Sequence, residues 1–132
     1  MGMDNTFFRI KKDEIKDIND IDGEMHRIVY GENRKYDEYE LMYFRKNYEL
    51  NEVVGEILKT YPIDSYIISE EVLKEIHEKL HEKMCKCNGK MFEETETEMW
   101  ERLRITKTVE VLEVIMKLFD FENYYLIYEV IN

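Results

Sequence analysis

From Tyr36 to Thr60 the apolar residues Tyr39, Met42, Tyr43, Leu50, Val53, Val54, Ile57 and Leu58 return every three or four positions, the spacing of one helix face. Pro62, which cannot continue a helix, follows at once. One long helix is therefore predicted over 36–60. A second is predicted over 70–86, with Ser69 as N-cap, Glu70 and Glu71 in the first turn where the dipole favours acids, and Asn88-Gly89 as the stop. A third, rich in Val, Leu, Ile and Met, is predicted over 97–119. Three stretches read differently. "NTFFRI" (5–10), "SYIIS" (65–69) and "NYYLIYEVIN" (123–132) are short, aromatic and β-branched, as strands are. Residues 11–34 read as an irregular segment with a short helix and, at "HRIVY" (26–30), a further strand.

These elements imply an α+β fold in which three main helices pack with a small antiparallel sheet of short strands, the C-terminal strand among them. At 132 residues the chain is the length of a single domain, read as 1–132 with residues 1–4 disordered. Composition sharpens this picture in two ways. With 44% hydrophobic residues and one proline the chain is far from the composition of disordered segments. Cys85 and Cys87, separated by one residue, are too close for an ordinary disulfide, which suits a reducing setting; no signal peptide and no apolar run long enough to span a bilayer is evident. The expected location is the cytoplasm, without membrane association.

Charge narrows the partners. The 19 Lys and Arg stand against 30 Asp and Glu, a formal charge of −11, which repels phosphate backbones at long range. Direct nucleic-acid binding is disfavoured, whereas docking onto a basic protein surface that normally holds nucleic acid is not.

One segment looks catalytic. His77, Glu78 and His81 have the His-Glu-x-x-His spacing by which helical zinc peptidases present two imidazoles and a general base. Yet the apolar positions Val72, Leu73, Ile76, Leu80 and Met84 set a face from which His77 diverges by roughly 70° and His81 by about 110°. The pair lies on a solvated flank, Lys79 and Glu82 crowd it with charge, and no downstream third ligand follows. His77 and His81 remain weak metal candidates, a small zinc metallohydrolase is the remote alternative, and no cofactor is expected. "DINDIDGE" fails as a calcium loop because the glycine alignment puts Ile18 and Val29 at ligand positions.

Polar residues on predicted apolar faces are the sharper anomaly. In the first helix Lys46 points near the centre of the stripe and Asn47 lies at its edge; in the third the buried side runs back through Thr108, Arg104 and Glu101. Burial requires such groups to satisfy each other, as Lys46 with Glu101, or to face a ligand. In the second case Tyr43, Lys46, Asn47, Trp100, Arg104 and Thr108 would form a ligand-binding site for a small anionic, nucleotide-like molecule, with aromatics to stack on a base and cations for its phosphates. No nucleophile beside a base, no catalytic carboxylate pair and no glycine-rich phosphate loop is present, which favours a binding protein over an enzyme.

"YFRKNYELNEVV" (43–54), "SYIISEEVLKEI" (65–76), "TETEMWERLRITKTVEVLEVI" (95–115) and "YYLIYEV" (124–130) resemble, in that order, a family of small uncharacterised proteins of bacteria and their phages. The matching positions are Tyr43, Arg45, Lys46, Tyr66, Ser69, Thr95, Glu96, Trp100, Thr108 and Tyr128; Tyr48, Asn51, Leu103 and Arg104 depart from the pattern. The resemblance implies the setting of a phage or prophage accessory protein in a bacterial host cell, and action against a defence system is the expectation drawn from that setting. Two mechanisms follow as expectations: an oligomer, most simply a homo-oligomer, that sequesters the anionic signal, or an acidic inhibitor whose Glu93–Glu101 surface occupies the basic groove of a host nuclease or effector.

Overall fold

A computed structural model describes residues 2–31 and 36–132. The chain divides into two compact units, one made of Met1–Lys46, Pro62–Ser69 and Asp120–Asn132, the other of Asn47–Tyr61 and Glu70–Phe119. The first is a sheet unit and the second a helical one, so the fold is α+β as the pattern implies.

The sheet unit holds four antiparallel strands, β1 (Asp4–Lys11), β2 (Glu40–Arg45), β3 (Asp64–Ile68) and β4 (Tyr124–Ile131), in the order β2-β1-β4-β3. The two central strands are the most buried, and β1 buries adjacent residues, Phe7 and Phe8, on opposite faces. A β-bulge between Phe7 and Phe8 shifts the register with β2. On one face Phe8, Ile10 and Ile127 form a core with Met25 and Val29, brought by the helix α1 (Ile21–Ile28) and its C-cap. On the other, Phe7 and Tyr128 pack ring against ring at 5.2 Å, and the Asn5 amide donates to the Tyr128 hydroxyl at 2.7 Å.

Helix α1 overturns the strand expected at "HRIVY". Asp20 caps it by accepting from the Gly23 amide, acids fill its first turn, and His26 and Arg27 fill its last, where the dipole favours cations. A side chain at residue 23 would collide with the Asp20 carboxylate, which explains the glycine. At the N-terminus, expected to be disordered over 1–4, Met1 lies outside the described residues, while Met3 is buried and Asp4 already pairs in β1.

The larger correction concerns the helix expected over 36–60. Among the described residues a single turn, α2 (Tyr36–Tyr39), precedes the strand β2, and a separate helix, α3 (Tyr48–Leu58), begins after Asn47. Lys46 therefore does not point into a helix stripe. It is exposed, in the left-handed region at φ 56°, with its amide bonded to the Met3 carbonyl at 2.6 Å. Asn47 is the N-cap of α3, its side-chain oxygen accepting from the Leu50 amide at 3.1 Å.

The helical unit comprises α3, α4 (Glu70–Gly89) and α5 (Glu96–Leu118). Its core draws on Leu50, Val53 and Val54 of α3, Leu73, Ile76 and Leu80 of α4, and Ile105, Val109 and Leu112 of α5, all essentially buried. A capping box fixes the start of α5: the Thr95 hydroxyl accepts from the Glu98 amide, and the Glu98 carboxylate accepts from the Thr95 amide, both at 3.2 Å. Among the described residues no helix is long and apolar enough to cross a membrane.

Candidate functional site

Of the residues expected to bind an anion, the structure brings three together inside the helical unit, and it gives them each other. The Asn47 amide nitrogen donates to the Thr108 hydroxyl at 2.8 Å, and that hydroxyl donates to the Arg104 carbonyl one turn back at 2.7 Å. Thr108 is fully buried and Asn47 nearly so. The Arg104 guanidinium forks onto Glu49, with Nη2 at 2.7 Å from one carboxylate oxygen and Nε at 3.3 Å from the other. Glu49 is 9% exposed. The hydrogen bonds it donates to this carboxylate hold the Arg104 guanidinium even more firmly charged than usual. The internal network that burial demands is thus present, with Glu49 rather than Glu101 as its acid, and α3 is tied through it to α5.

Trp100 stands half-exposed on α5. Tyr43, in the sheet unit, is exposed on β2, and its hydroxyl donates to the Asp4 carboxylate, an interaction that raises the phenol above its ordinary pKa. Lys46 is exposed beyond the end of β2.

The His-Glu-x-x-His segment falls on α4. The two imidazoles stack with centroids 5.8 Å apart, His77 Nε2 meets the Glu113 carboxylate of α5 at 3.0 Å, and Glu78 faces solvent. The Cys85 thiol lies 3.9 Å from His81 Nδ1. Among the described residues no group of three or more His, Cys, Asp or Glu is placed to hold a metal ion. His77 is instead a partner for Glu113, bridging α4 and α5.

The sheet unit carries a polar row that the sequence did not reveal. Strand register sets Tyr43, Thr6, Glu129 and Ser65 side by side across the sheet. Glu129, 6% exposed, accepts hydrogen bonds from the Tyr30 hydroxyl and, at 3.2 Å, from the Ser65 hydroxyl. Burial raises its carboxyl above the usual range, outweighing these donors, and the nearby Asp22 and Asp64 charges add to the rise. Burial and the Glu129 carboxylate together push the Tyr30 phenol far upward. The Tyr36 hydroxyl reaches Thr6 at 3.5 Å. One signal was legible: in "YYLIYEVI" Glu129 occupies the same alternating set as Tyr125 and Ile127, which face the core. Both Glu129 oxygens are engaged, so this row is a buried hydrogen-bond cluster and not an open general base.

Exposed chemistry concentrates at the turn joining α4 to α5. Glu93 and Glu96 are exposed there, and Phe92 is 96% exposed. Glu94 turns inward: Arg102 grips it in a two-pronged ion pair at 2.8 and 2.9 Å, which holds the Glu94 carboxyl below its ordinary range. That pair anchors the turn to α5 and leaves its neighbours pointing outward. No protein-family model, curated protein or solved structure matches the chain.

Proposed function

We propose that the protein is a non-enzymatic binding protein that lays an acidic surface with an aromatic tip onto a basic groove of another protein, one that otherwise holds nucleic acid. The observation that carries this reading is the α4–α5 turn, where Phe92 stands almost wholly in solvent beside exposed Glu93 and Glu96. Met91 beside Phe92 is 40% exposed and widens the apolar tip, and aromatic anchors at the centre of a contact carry much of the energy of protein interfaces. The net charge of −11 supplies long-range attraction to a basic partner. A phage or prophage setting, and a host nuclease or defence effector as target, rest on the family resemblance alone.

Sequestration of a nucleotide-like signal is supported less well, because Arg104 would have to give up Glu49 to meet a phosphate.

The test is displacement of labelled duplex DNA from purified bacterial nucleases with basic grooves. The chain should displace DNA from its target at low salt and lose that ability as salt rises. Glu93→Lys with Glu96→Lys, and separately Phe92→Ala, should each weaken displacement about tenfold or more. Displacement indifferent to all three changes would overturn the proposal, and a nucleotide that raised the melting temperature, with Arg104→Ala abolishing the rise, would favour sequestration in its place.

A further inference from the structure

Helix α5 has two apolar sides. One, centred on Ile105, Val109, Leu112 and Ile115, is buried. At 100° per residue the other lies nearly opposite, and there Trp100, Leu103, Val114 and Leu118 are 53%, 43%, 57% and 74% exposed. A helix that is apolar on both sides calls for burial on both. Between the two exposed apolar ends sit Lys107 and Glu110, also exposed, and among the described residues neither has an ion-pair partner.

The spacing of this outer face, 100, 103, 107, 110, 114, 117, alternates threes and fours as the seam of a coiled coil does. It also reads as its own complement when reversed. With a two-fold axis between residues 108 and 109, Leu103 meets Val114 of a second copy, Lys107 meets Glu110, and Trp100 meets Lys117 with Leu118 alongside. Each pairing then occurs twice. Parallel alignment would set Lys107 against Lys107 and Glu110 against Glu110, so charge selects the antiparallel register.

We propose that the outer face of α5 is the interface of a symmetric antiparallel homodimer, closed by two Lys107–Glu110 pairs and flanked by Leu103–Val114 contacts, with the Trp100 ring over the aliphatic stem and ammonium of Lys117. Charge complementarity of the face to its own reverse identifies the occupant as a second copy of this chain. A single helix per protomer gives an interface in the small class, under about 1,200 Å² in total, so association is weak and falls in the micromolar range. The proposal does not use Phe92, Glu93 or Glu96 and stands or falls independently of the groove-binding reading.

Sedimentation equilibrium across a concentration series tests it. The unaltered chain should dimerise. Lys107→Glu and Glu110→Lys, each replacing two attractive contacts by two repulsive ones, should each weaken dimerisation at least about tenfold while leaving the circular dichroism and melting curve of the monomer unchanged. The double variant, Lys107→Glu with Glu110→Lys, should restore the dimer, and an equimolar mixture of the two single variants should form a heterodimer. A chain that stays monomeric throughout the series, single variants that dimerise as well as the parent, or a double variant that fails to recover would overturn the proposal.

Discussion

Glu94 and Glu129 are two nearly buried carboxylates, one in the helical unit and one in the sheet unit, and their surroundings push them in opposite directions. Glu94 receives a guanidinium, Arg102, in a two-pronged ion pair that favours its charged form. Glu129 receives two neutral hydroxyls, from Tyr30 and Ser65, which offset only part of what its charge loses by leaving water. Hydrogen bonds satisfy geometry in both places, but only a counter-charge keeps the carboxylate ionised at no net penalty. In the helical unit Glu49 too is met by a guanidinium, that of Arg104.

The sharpest way to break the comparison removes the helical unit's neutral anchor. Asn47→Ala deletes the N-cap of α3 and the donor to the buried Thr108 hydroxyl oxygen, which is left with its own bond to the Arg104 carbonyl. It is expected to cost about 2 kcal/mol in chemical denaturation and to lower the melting temperature by roughly 8 °C.

A smaller effect separates the two carboxylates by pH. Glu94, held low, contributes stability that is present above the unfolded carboxylate value of 4.5 and is lost as pH falls through its folded value. Glu94→Gln should therefore flatten the acid side of the stability curve, as read by urea unfolding at a series of pH values. Glu129, held high, has the opposite sign: the folded state binds its proton more tightly, so stability is greatest below 4.5 and declines as pH rises through the raised folded value. Glu129→Gln, the smallest of the three effects, should remove that decline. The variant should match the parent in acid and exceed it at neutral pH; a variant that gains nothing on the parent between acid and neutral pH would show that Glu129 is charged at no cost.

Strands β1, β3 and β4 were legible from their short aromatic and β-branched runs, and helices α4 and α5 from their length and helix-forming composition. The stretch 36–60 was not. Leu41-Met42-Tyr43-Phe44 is an unbroken apolar run, which suits a strand or a buried helix turn equally, and the helical spacing on both sides of it decided wrongly. What replaces the helix is the pairing of residues 40–45 with β1, and a left-handed Lys46 whose amide is held by Met3, forty-three positions away, ends that strand; no local pattern contains those bonds. Asn47 looked like a polar flaw in an apolar face and is a cap. At the site, Arg104 and Thr108 announced themselves as polar residues on a buried side, but their partners did not, since Glu49 lay outside the expected stripe. Glu129 was hidden for a related reason: its donors, Tyr30 and Ser65, lie in segments far apart along the chain.

The strand order β2-β1-β4-β3 imposes a schedule on synthesis. The first strand to leave the ribosome can meet β2 early, but its other neighbour, β4, is made after α4 and α5, so residues 4 and 131 wait for one another. β3 waits too, because it pairs with β4 in the sheet. The helices of the other unit can assemble during that interval from sequence-local contacts, which form fastest. The unit whose chain is begun first is thus the one finished last, and until β4 arrives one long edge of β1 stays open to any strand that comes by.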